Sequence, residues 1–417
     1  MAAPSITCAA PDGAWHGDNV SLACTATDGG SGLANSADAS FVLSTSVADG
    51  SEVANAITGS RVVCDVAGNC ATAGPIAGNK IDRKAPVITL VTPPDGAWHA
   101  DNVALSHTAS DGGSGLANAG DATFTLATSV VADIEDANAS TDIRMVCDAV
   151  GNCATAGPIA GNKIDRKAPV VMVTPPDGAW HANNVALSNT ASDGGSGLAN
   201  AADASFVLTT SVAAGSEDAN ATTDTKSVCD AVGNCATAGP IGGNKIDRKA
   251  PVITLVTPPD GVWHANNVAL SLTASDGGSG LANAGDATFT LSTTVAAGSE
   301  DANASTGTRV VCDAVGNCAT AGPIGGNKVD RRGPMITLIT PADGATYKFN
   351  HATIADYSCA DGASGPVTCV GSVPSGTAID TWTKGVKTFT VVATDAAGNT
   401  TTRTLTYTSS PGGKVRD

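Results

Sequence analysis

Apolar and polar residues alternate in short segments of this chain, and turn-forming residues separate the segments. Val103 and Leu105 point to one face of such a segment, between small or polar residues. Residues 122–130 alternate in the same way, and residues 86–92 form a β-branched run that a Pro-Pro-Asp-Gly turn follows. Turn signals return about every 8–12 residues, which is the spacing of a β-sandwich.

The neighbouring segments complete a predicted set of about six or seven short strands. Residues 143–147 and 153–156 flank the turn Asp-Ala-Val-Gly-Asn and are predicted to form a hairpin. Residues 162–166 are predicted to close the unit, and the acidic stretch 133–142 is predicted to be a loop. No segment has a helical period, so the pattern predicts an all-β fold.

This pattern recurs along the whole chain of 417 residues. Trp15, Trp98, Trp180 and Trp263 follow one another at steps of 83, 82 and 83 residues, and a diverged fifth copy comes last. A period this long indicates an array of small domains. The predicted domains are residues 1–86, 87–169, 170–251, 252–334 and 335–417.

The predicted boundaries fall in a short charged linker that ends in proline. The letters Lys-Ile-Asp-Arg-Lys-Ala-Pro end at Pro86, Pro169 and Pro251, and the fourth copy closes similarly at Pro334. Proline fixes its own φ and favours extended geometry in the residue before it, so these joints are predicted to be stiff.

Composition narrows the classes of partner and compartment. The net charge is −17, which disfavours nucleic acid because phosphates require Lys and Arg. No apolar run is long enough to span a bilayer. The N-terminus has no basic start and no apolar stretch of a signal peptide, so we expect a mature form or a fragment of a longer protein, with the signal peptide and any anchor missing.

The twelve cysteines have spacings that favour disulfides over zinc. Zinc ligands usually come as paired Cys-x-x-Cys knuckles with four ligands per site, whereas here two cysteines in each of the first four copies lie six residues apart across the predicted hairpin turn. Disulfides in turn imply an oxidising, extracellular compartment. The predicted pairs are Cys64 with Cys70, Cys147 with Cys153, Cys229 with Cys235, Cys312 with Cys318, Cys359 with Cys369, and Cys8 with Cys24.

Two motifs carry a resemblance to a known family. Val-x-Asp-x-x-Gly-Asn, followed by Ala-Thr and later by Asp-Arg-x-Ala-Pro, resembles bacterial immunoglobulin-like repeats of large secreted surface proteins, as in residues 63–72 with 82–86. Residues 390–401 of the last unit are similar to the closing strands of hyalin-type modules. The resemblance implies a tandem array of five Ig-like β-sandwich domains that serves as the stalk or spacer of an adhesin. The cysteine pair across the hairpin departs from the best-known adhesin stalks.

The same resemblance implies calcium at the joints, because similar arrays bind calcium through a linker aspartate. Acidic residues of adjoining loops, Asp49 with Glu52 or Glu135 with Asp136, would complete the six to eight oxygens that Ca²⁺ takes. The alternative is that the linker aspartate pairs with the neighbouring Arg or Lys, or caps a turn. The candidate metal residues are Asp82, Asp165, Asp247 and Asp330.

Other repeated features have plainer interpretations. The loop Asp-Gly-Gly-Ser-Gly, at residues 28–32 and its copies, is read as a strand connection rather than a binding loop, since it is neither a phosphate loop nor followed by Lys. Trp98 and Trp180 are candidates for ligand binding, although a packing role is favoured in a chain with so few aromatics. Three Asn-Ala-Ser/Thr sequons, which begin at residues 138, 220 and 303, are glycosylation candidates.

The sequence therefore predicts a non-enzymatic extracellular protein. No nucleophile motif and no triad spacing occurs. The favoured function is a structural spacer or stalk of a cell-surface adhesin or fibre, cross-linked by disulfides and stiffened by calcium. The alternatives are a multivalent glycan- or protein-binding array and a self-assembling extracellular filament. The partner would lie on a cell surface or in a matrix, or be a second copy of the chain.

Overall fold

The structure, a computed structural model, describes residues 2–412, and nearly all of its regular secondary structure consists of short strands. The first repeat has eight strands, and a 3₁₀ helix at Ser36–Ala39 precedes the fourth. The strands are β1 (Ser5–Cys8), β2 (Trp15–His16), β3 (Ser21–Thr27), β4 (Ser40–Ser44), β5 (Glu52–Ala56), β6 (Arg61–Cys64), β7 (Cys70–Ala73) and β8 (Asn79–Asp82).

The next three repeats have the same eight strands. The second has β9 (Val87–Leu90), β10 (Trp98–His99), β11 (Ala104–Ser110), β12 (Thr123–Ala127), β13 (Glu135–Ala139), β14 (Arg144–Cys147), β15 (Cys153–Ala156) and β16 (Asn162–Asp165). The third has β17 (Val170–Met172), β18 (Trp180–His181), β19 (Ala186–Ser192), β20 (Ser205–Thr209), β21 (Glu217–Ala221), β22 (Lys226–Cys229), β23 (Cys235–Ala238) and β24 (Asn244–Asp247). The fourth has β25 (Val252–Leu255), β26 (Trp263–His264), β27 (Ala269–Ser275), β28 (Thr288–Ser292), β29 (Glu300–Ala304), β30 (Arg309–Cys312), β31 (Cys318–Ala321) and β32 (Asn327–Asp330).

The last unit has fewer and longer strands. Its strands are β33 (Met335–Thr340), β34 (Ala345–Lys348), β35 (Asp356–Ala360), β36 (Pro366–Gly371), β37 (Gly385–Asp395) and β38 (Thr400–Ser410). The remaining 3₁₀ helices are Ala119–Ala122, Ala201–Ala204 and Ala284–Ala287. No helix within residues 2–412 has the length and apolar character that crossing a membrane requires.

Each complete repeat contains two small three-stranded sheets and a two-stranded hairpin. In the first repeat the sheets are β1-β3-β4 and β2-β8-β5, and β6 pairs with β7. The short β2 runs parallel to β8, with Trp15 opposite Lys80. β5 runs antiparallel to β8, so that Glu52 lies opposite Asp82 at the end of the repeat. That register brings two acidic residues together where the linker begins.

The core is small because few large apolar residues are present. In the first repeat, Phe41 and Leu43 of β4 pack with Val63 of the hairpin, and Val63 is fully buried. Alternation along β4 sends every second side chain inward, as the sequence pattern predicts. The guanidinium of Arg61 lies over the Phe41 ring and also pairs with Asp38 of the 3₁₀ helix, and so covers the edge of this core.

One core position differs in every repeat. It holds Cys24, which is bonded to Cys8 in the first repeat, and then His107, Asn189 and Leu272. His107 stacks on Phe124 with ring centroids 5.2 Å apart, and its Nε2 atom is buried without a hydrogen-bond partner in the structure. The same core position is thus filled by a disulfide sulfur, an imidazole, an amide and an isobutyl group in the four successive repeats.

Residue contacts divide the chain into two units. The first comprises Met1–Thr174, Ser188–Val207 and Thr225–Gly239. The second comprises Pro175–Leu187, Leu208–Asp224 and Pro240–Asp417. We name the linkers that follow Asp82, Asp165, Asp247 and Asp330 joints 1 to 4. Joints 1 and 2 lie within the first unit, and joints 3 and 4 lie within the second.

The strand pattern agrees with the prediction of an all-β tandem array, with two corrections. The acidic stretch 133–142 is not a loop, because β13 lies within it and pairs with β16. The 3₁₀ turns were also missed. Each begins after an asparagine whose side chain accepts a backbone hydrogen bond, as Asn35 does from Ala37. The five domain boundaries remain a prediction.

Candidate cation sites at the joints

Three carboxylates converge at each joint. The clusters are Glu52, Asp82 and Asp111; Glu135, Asp165 and Asp193; Glu217, Asp247 and Asp276; and Glu300, Asp330 and Asp361. In every cluster one oxygen or more of each residue lies within 4.8 Å of the others. Two carboxylates come from the end of one repeat and the third from the start of the next.

The first two carboxylates of joint 1 are placed by the sheet register. Glu52 begins β5 and Asp82 ends β8, directly opposite one another. Asp82 is completely buried, and its Oδ1 accepts a hydrogen bond from the Lys84 backbone N–H at 3.2 Å. The linker aspartate therefore caps a turn through Oδ1, as the alternative interpretation predicts. Its Oδ2 remains available to the next repeat.

The third carboxylate comes from the glycine-rich loop of the next repeat. We call residues 111–115, 193–197, 276–280 and 361–365 the joint loops. Asp111 Oδ2 accepts a hydrogen bond from the Gly115 backbone N–H at 2.8 Å, and Gly115 has a φ of +80°, which only glycine adopts readily. The Ser114 backbone N–H donates to Asp82 Oδ2 at 2.6 Å. The loop is therefore part of the joint and not a plain strand connection.

Glycine is required in this loop because the loop lies against the carboxylates. A Cβ atom at Gly113 would lie 2.5 Å from Asp82 Oδ2, and one at Gly112 would lie 2.7 Å from Glu52 Oε1. Gly29, at the place of Gly112 in the first repeat, has nothing within 4 Å. Two adjacent glycines thus allow the backbone to approach the acidic residues of the preceding repeat.

The cluster contains buried oxygens without partners. Glu52 Oε2 and the Ser114 hydroxyl are both buried and make no hydrogen bond in the structure, and the same holds for their counterparts at joints 2 and 3. Glu52 Oε1 lies 3.5 Å from Lys84 Nζ, an ion pair that is partly exposed. Burying a carboxylate oxygen without a donor is costly, so these oxygens suit a cation ligand.

Burial, neighbouring charges and hydrogen bonds shift the pKa values of two carboxyls in the cluster of joint 1. Burial raises the pKa of Asp111, and the nearby charges of Asp82, Asp148 and Glu52 raise it further, against the hydrogen bond from Gly115. Burial would also raise the pKa of Asp82, but hydrogen bonds from Ser114 and Lys84 hold it below its usual value. One carboxyl of the cluster is thus biased towards the neutral form and its neighbour towards the charged form.

The other predicted residues lie elsewhere. Asp49 pairs with Arg83, and Asp136 accepts a hydrogen bond from the Asn138 backbone, so neither belongs to a cluster, whereas Glu52 and Glu135 do.

Trp98 and Trp180 are half-buried beside their closing strands. The histidine after each Trp contacts an exposed aspartate, as His99 Nε2 does Asp95 Oδ1 at 3.0 Å. That contact lowers the pKa of Asp95.

Six disulfides are present, and five of them join residues that are paired across two antiparallel strands. Cys147 and Cys153 are opposite one another at the ends of β14 and β15, with Cα atoms 4.0 Å apart. Cys359 and Cys369 bracket the joint loop of the last unit instead. The bonds are Cys8–Cys24, Cys64–Cys70, Cys147–Cys153, Cys229–Cys235, Cys312–Cys318 and Cys359–Cys369.

Scans against protein-family models and against curated protein sequences gave no match. Among solved structures, the chain is similar to a tetra-tandem repeat in the extending region of a large adhesion protein, at 15% identity over 98% of this chain and 100% of that one, with a TM-score of 0.21. It is also similar to the protocadherin GammaB4 extracellular domain, at 12% identity over 97% and 77%, with a TM-score of 0.27.

A third similar structure is that of the eight N-terminal Ig domains of Down syndrome cell adhesion molecule, at 11% identity over 97% of this chain and 60% of that one, with a TM-score of 0.25. TM-scores this low do not establish a shared arrangement over whole chains. The site described above therefore stands on its own contacts.

Proposed function

We propose that this protein is an extracellular, non-enzymatic spacer of an adhesion system whose joints bind calcium. The observation that carries the proposal is the fourfold recurrence of one acidic cluster, always formed by the end of one repeat and the start of the next. Six disulfides and no free cysteine support an oxidising, extracellular compartment.

The ligand chemistry favours calcium among common cations. Three carboxylates offer up to six oxygens, and the buried Ser114 hydroxyl lies beside them without a partner. Calcium accepts such all-oxygen sets of variable geometry, whereas Mg²⁺ keeps several waters and demands a stricter octahedron. At joint 3 a pocket of about 270 Å³ lined by Glu217, Lys249 and Asp276 gives an ion a route to the carboxylates.

A cation would join two repeats, because its ligands belong to both. Without it, the like charges of the cluster repel across the joint, and this repulsion adds to burial in raising the pKa of Asp111. Bound calcium would convert that repulsion into a shared attraction and restrict motion of one repeat against the next. A spacer needs this property, since its task is to hold other parts at a distance under load.

Calcium binding to the purified chain tests the proposal directly. Equilibrium dialysis or calorimetry is expected to give four bound Ca²⁺ per chain, and Asp111→Asn is expected to reduce the number to three. The matched control is Asp28→Asn, because Asp28 occupies the same loop position in the first repeat and belongs to none of the four clusters. A chain that binds no calcium, or that loses a site with Asp28→Asn, would contradict the assignment.

Small-angle scattering of the chain, with and without a chelator, tests the mechanical part. We expect calcium to narrow the distribution of conformations without changing the molecular mass. A mass far above that of one chain would favour the self-assembling filament instead, and calcium-independent scattering would remove the cation from the mechanism.

A further inference from the structure

A second contact holds each joint, and it uses no acidic side chain of the linker. We call residues 148–152, 230–234, 313–317 and 395–399 the joint turns. The Asn152 side-chain amide donates to the backbone carbonyl of Asp82 at 2.9 Å. Asn234, Asn317 and Asn399 make the same contact at joints 2, 3 and 4, at 2.8, 2.9 and 2.8 Å.

The asparagine is held in place by its own turn. Asp148 is buried, and its Oδ1 accepts the backbone N–H groups of Gly151 and Asn152 at 2.6 and 2.7 Å. Its Oδ2 accepts the second amide hydrogen of Asn152 at 2.6 Å. One N–H of the amide is thereby fixed to the turn, and the other is aimed at the preceding repeat.

The turn also packs against the preceding repeat. A Cβ atom at Gly17 would lie 3.0 Å from the carbonyl oxygen of Val150, so the two backbones are close. Cys147 and Cys153 stand immediately before and after the turn and are joined to each other. The disulfide therefore closes the base of the element that carries Asn152.

The first repeat provides an internal comparison. Asp65 and Asn69 form the same turn, with Asn69 Nδ2 donating to Asp65 Oδ2 at 2.8 Å, and Cys64–Cys70 closes its base. Within residues 2–412, no linker carbonyl accepts from Asn69. The turn thus forms without a linker, which indicates that it is a pre-formed binding element rather than a product of the joint.

We propose that the joint turns are docking elements that bind the linker backbone of the preceding repeat, and that at joints 1 to 3 the flanking disulfides position them. The asparagine is a positioning residue that donates to a backbone carbonyl and is not a ligand of the proposed cation. Joint 4 differs in one respect: its turn connects the long strands β37 and β38, without a flanking disulfide.

Limited trypsin digestion of the full chain measures this docking, because each linker carries two basic residues. Cleavage after Lys84 reports opening of joint 1, and cleavage after Arg144 of β14 reports unfolding of the second repeat. Asn152→Asp keeps the size of the side chain but replaces the donor by an acceptor. We expect cleavage at joint 1 to accelerate about tenfold, with Arg144 protected and joints 2 to 4 unchanged.

The matched control is Asn69→Asp, which places the same charge beside Asp65 and touches no linker. It is expected to change joint 1 less than about twofold. Equal acceleration in both variants, or none in Asn152→Asp, would overturn the docking role. Digestion in calcium and in chelator separates the two proposals. If the joints bind no calcium, the cleavage rate at joint 1 is the same in both media, but Asn152→Asp is still cleaved faster than Asn69→Asp.

The disulfide is tested by Cys147→Ser/Cys153→Ser. Faster cleavage at joint 1 with Arg144 still protected would support positioning of the turn by the disulfide. Unchanged cleavage at joint 1 would overturn that part. Simultaneous cleavage after Arg144 would also overturn it, since the bond would then stabilise the whole repeat and not the turn.

Discussion

The first three joints and the fourth contain the same carboxylates but hold the linker aspartate in different ways. At joint 1 the Ser114 backbone N–H donates to Asp82, and the Ser114 hydroxyl remains without a partner. At joint 4 the Ser364 hydroxyl itself donates to Asp330 Oδ2 at 2.6 Å. We infer that one side-chain atom in the loop decides which oxygens stay available.

That atom is a Cβ. Joints 1 to 3 have Gly-Gly before the serine, whereas joint 4 has Gly362-Ala363. The space that a Cβ would need at Gly113 is filled by the Asp82 carboxylate, so a loop with alanine there must sit differently. Because its hydrogen bond to Asp330 fixes the orientation of the Ser364 hydroxyl, this oxygen is less free to turn towards a cation at joint 4. We therefore expect three equivalent calcium sites and a weaker fourth.

The largest effect is expected from Gly113→Ala. The new methyl group would overlap Asp82, which is buried and has no room to move, so joint 1 is expected to lose its calcium site and about 1–3 kcal/mol of stability. Calorimetric unfolding and calcium stoichiometry measure both losses. Gly29→Ala is the control, because nothing lies within 4 Å of its Cβ position. A joint 1 site in Gly113→Ala that still binds calcium as tightly as joints 2 and 3 would break the comparison.

A pH dependence of joints 1 to 3 is the next effect in size. The pKa of Asp111 is raised above its ordinary 3.8, as are those of Asp193 and Asp276. Without a cation, the stability gained by protonation is complete below pH 3.8 and is lost as the pH rises through the raised pKa. Calcium requires the charged form, so its affinity rises over the same window.

Below the raised pKa, the calcium affinity of these joints is expected to fall up to about tenfold per pH unit, with release of about one proton per site on binding. Calorimetry in two buffers of different ionisation enthalpy, repeated at several pH values from 3.8 upwards, measures the proton. Equal heats in the two buffers would show that Asp111 is already charged before calcium binds.

Ala363→Gly should bring the fourth joint closer to the other three. With the methyl group removed, the loop backbone can approach Asp330 and release the Ser364 hydroxyl, which is expected to raise calcium affinity at joint 4 several-fold, on the order of one hydrogen-bonding group. A titration that changes from three-plus-one sites to four equal sites would support this. An unchanged weak site would mean that the domain, rather than the loop, sets the difference.

Lys84→Met is expected to give the smallest change. Lys84 Nζ lies 3.5 Å from Glu52 Oε1 in a partly exposed ion pair, and such pairs contribute little. Removing this competing cation should strengthen calcium at joint 1 by about twofold to threefold. Arg332→Met is the control at joint 4, because no ion pair between Arg332 and Glu300 occurs within the described residues. A loss of calcium affinity in Lys84→Met would mean that the lysine supports the cluster.

The sequence predicted the strands well because their signal is local. Alternation around Leu105 and the Gly-Asn turn before Cys153 specify elements within a few residues of themselves. The acidic strand Glu135–Ala139 was missed because its stability comes from pairing with β16, about 26 residues later, and not from its own composition.

The sequence pointed to the residues that the preceding repeat contributes to each joint, but not to those that the next repeat contributes. Asp82 stood out through its place in the linker, but Asp111 and Asn152 reach it from the next repeat, and no local pattern connects residues that far apart. A signal was available inside the chain: the diverged last unit keeps Asp361 with its Gly-x-Ser-Gly and also Asp395 with Gly-Asn. Residues that persist where the surrounding sequence has changed are those that meet the preceding repeat.

Each of the first four repeats contributes two carboxylates to the joint that follows it. The second to fourth repeats also contribute one carboxylate to the joint that precedes them. Any repeat of this type therefore fits after any other, whatever residue occupies its core position. A duplication or deletion of one whole period in the gene leaves every remaining joint complete, whereas a change of part of a period destroys one. The length of such a protein is consequently free to vary between lineages in steps of one repeat, without any new contact having to evolve.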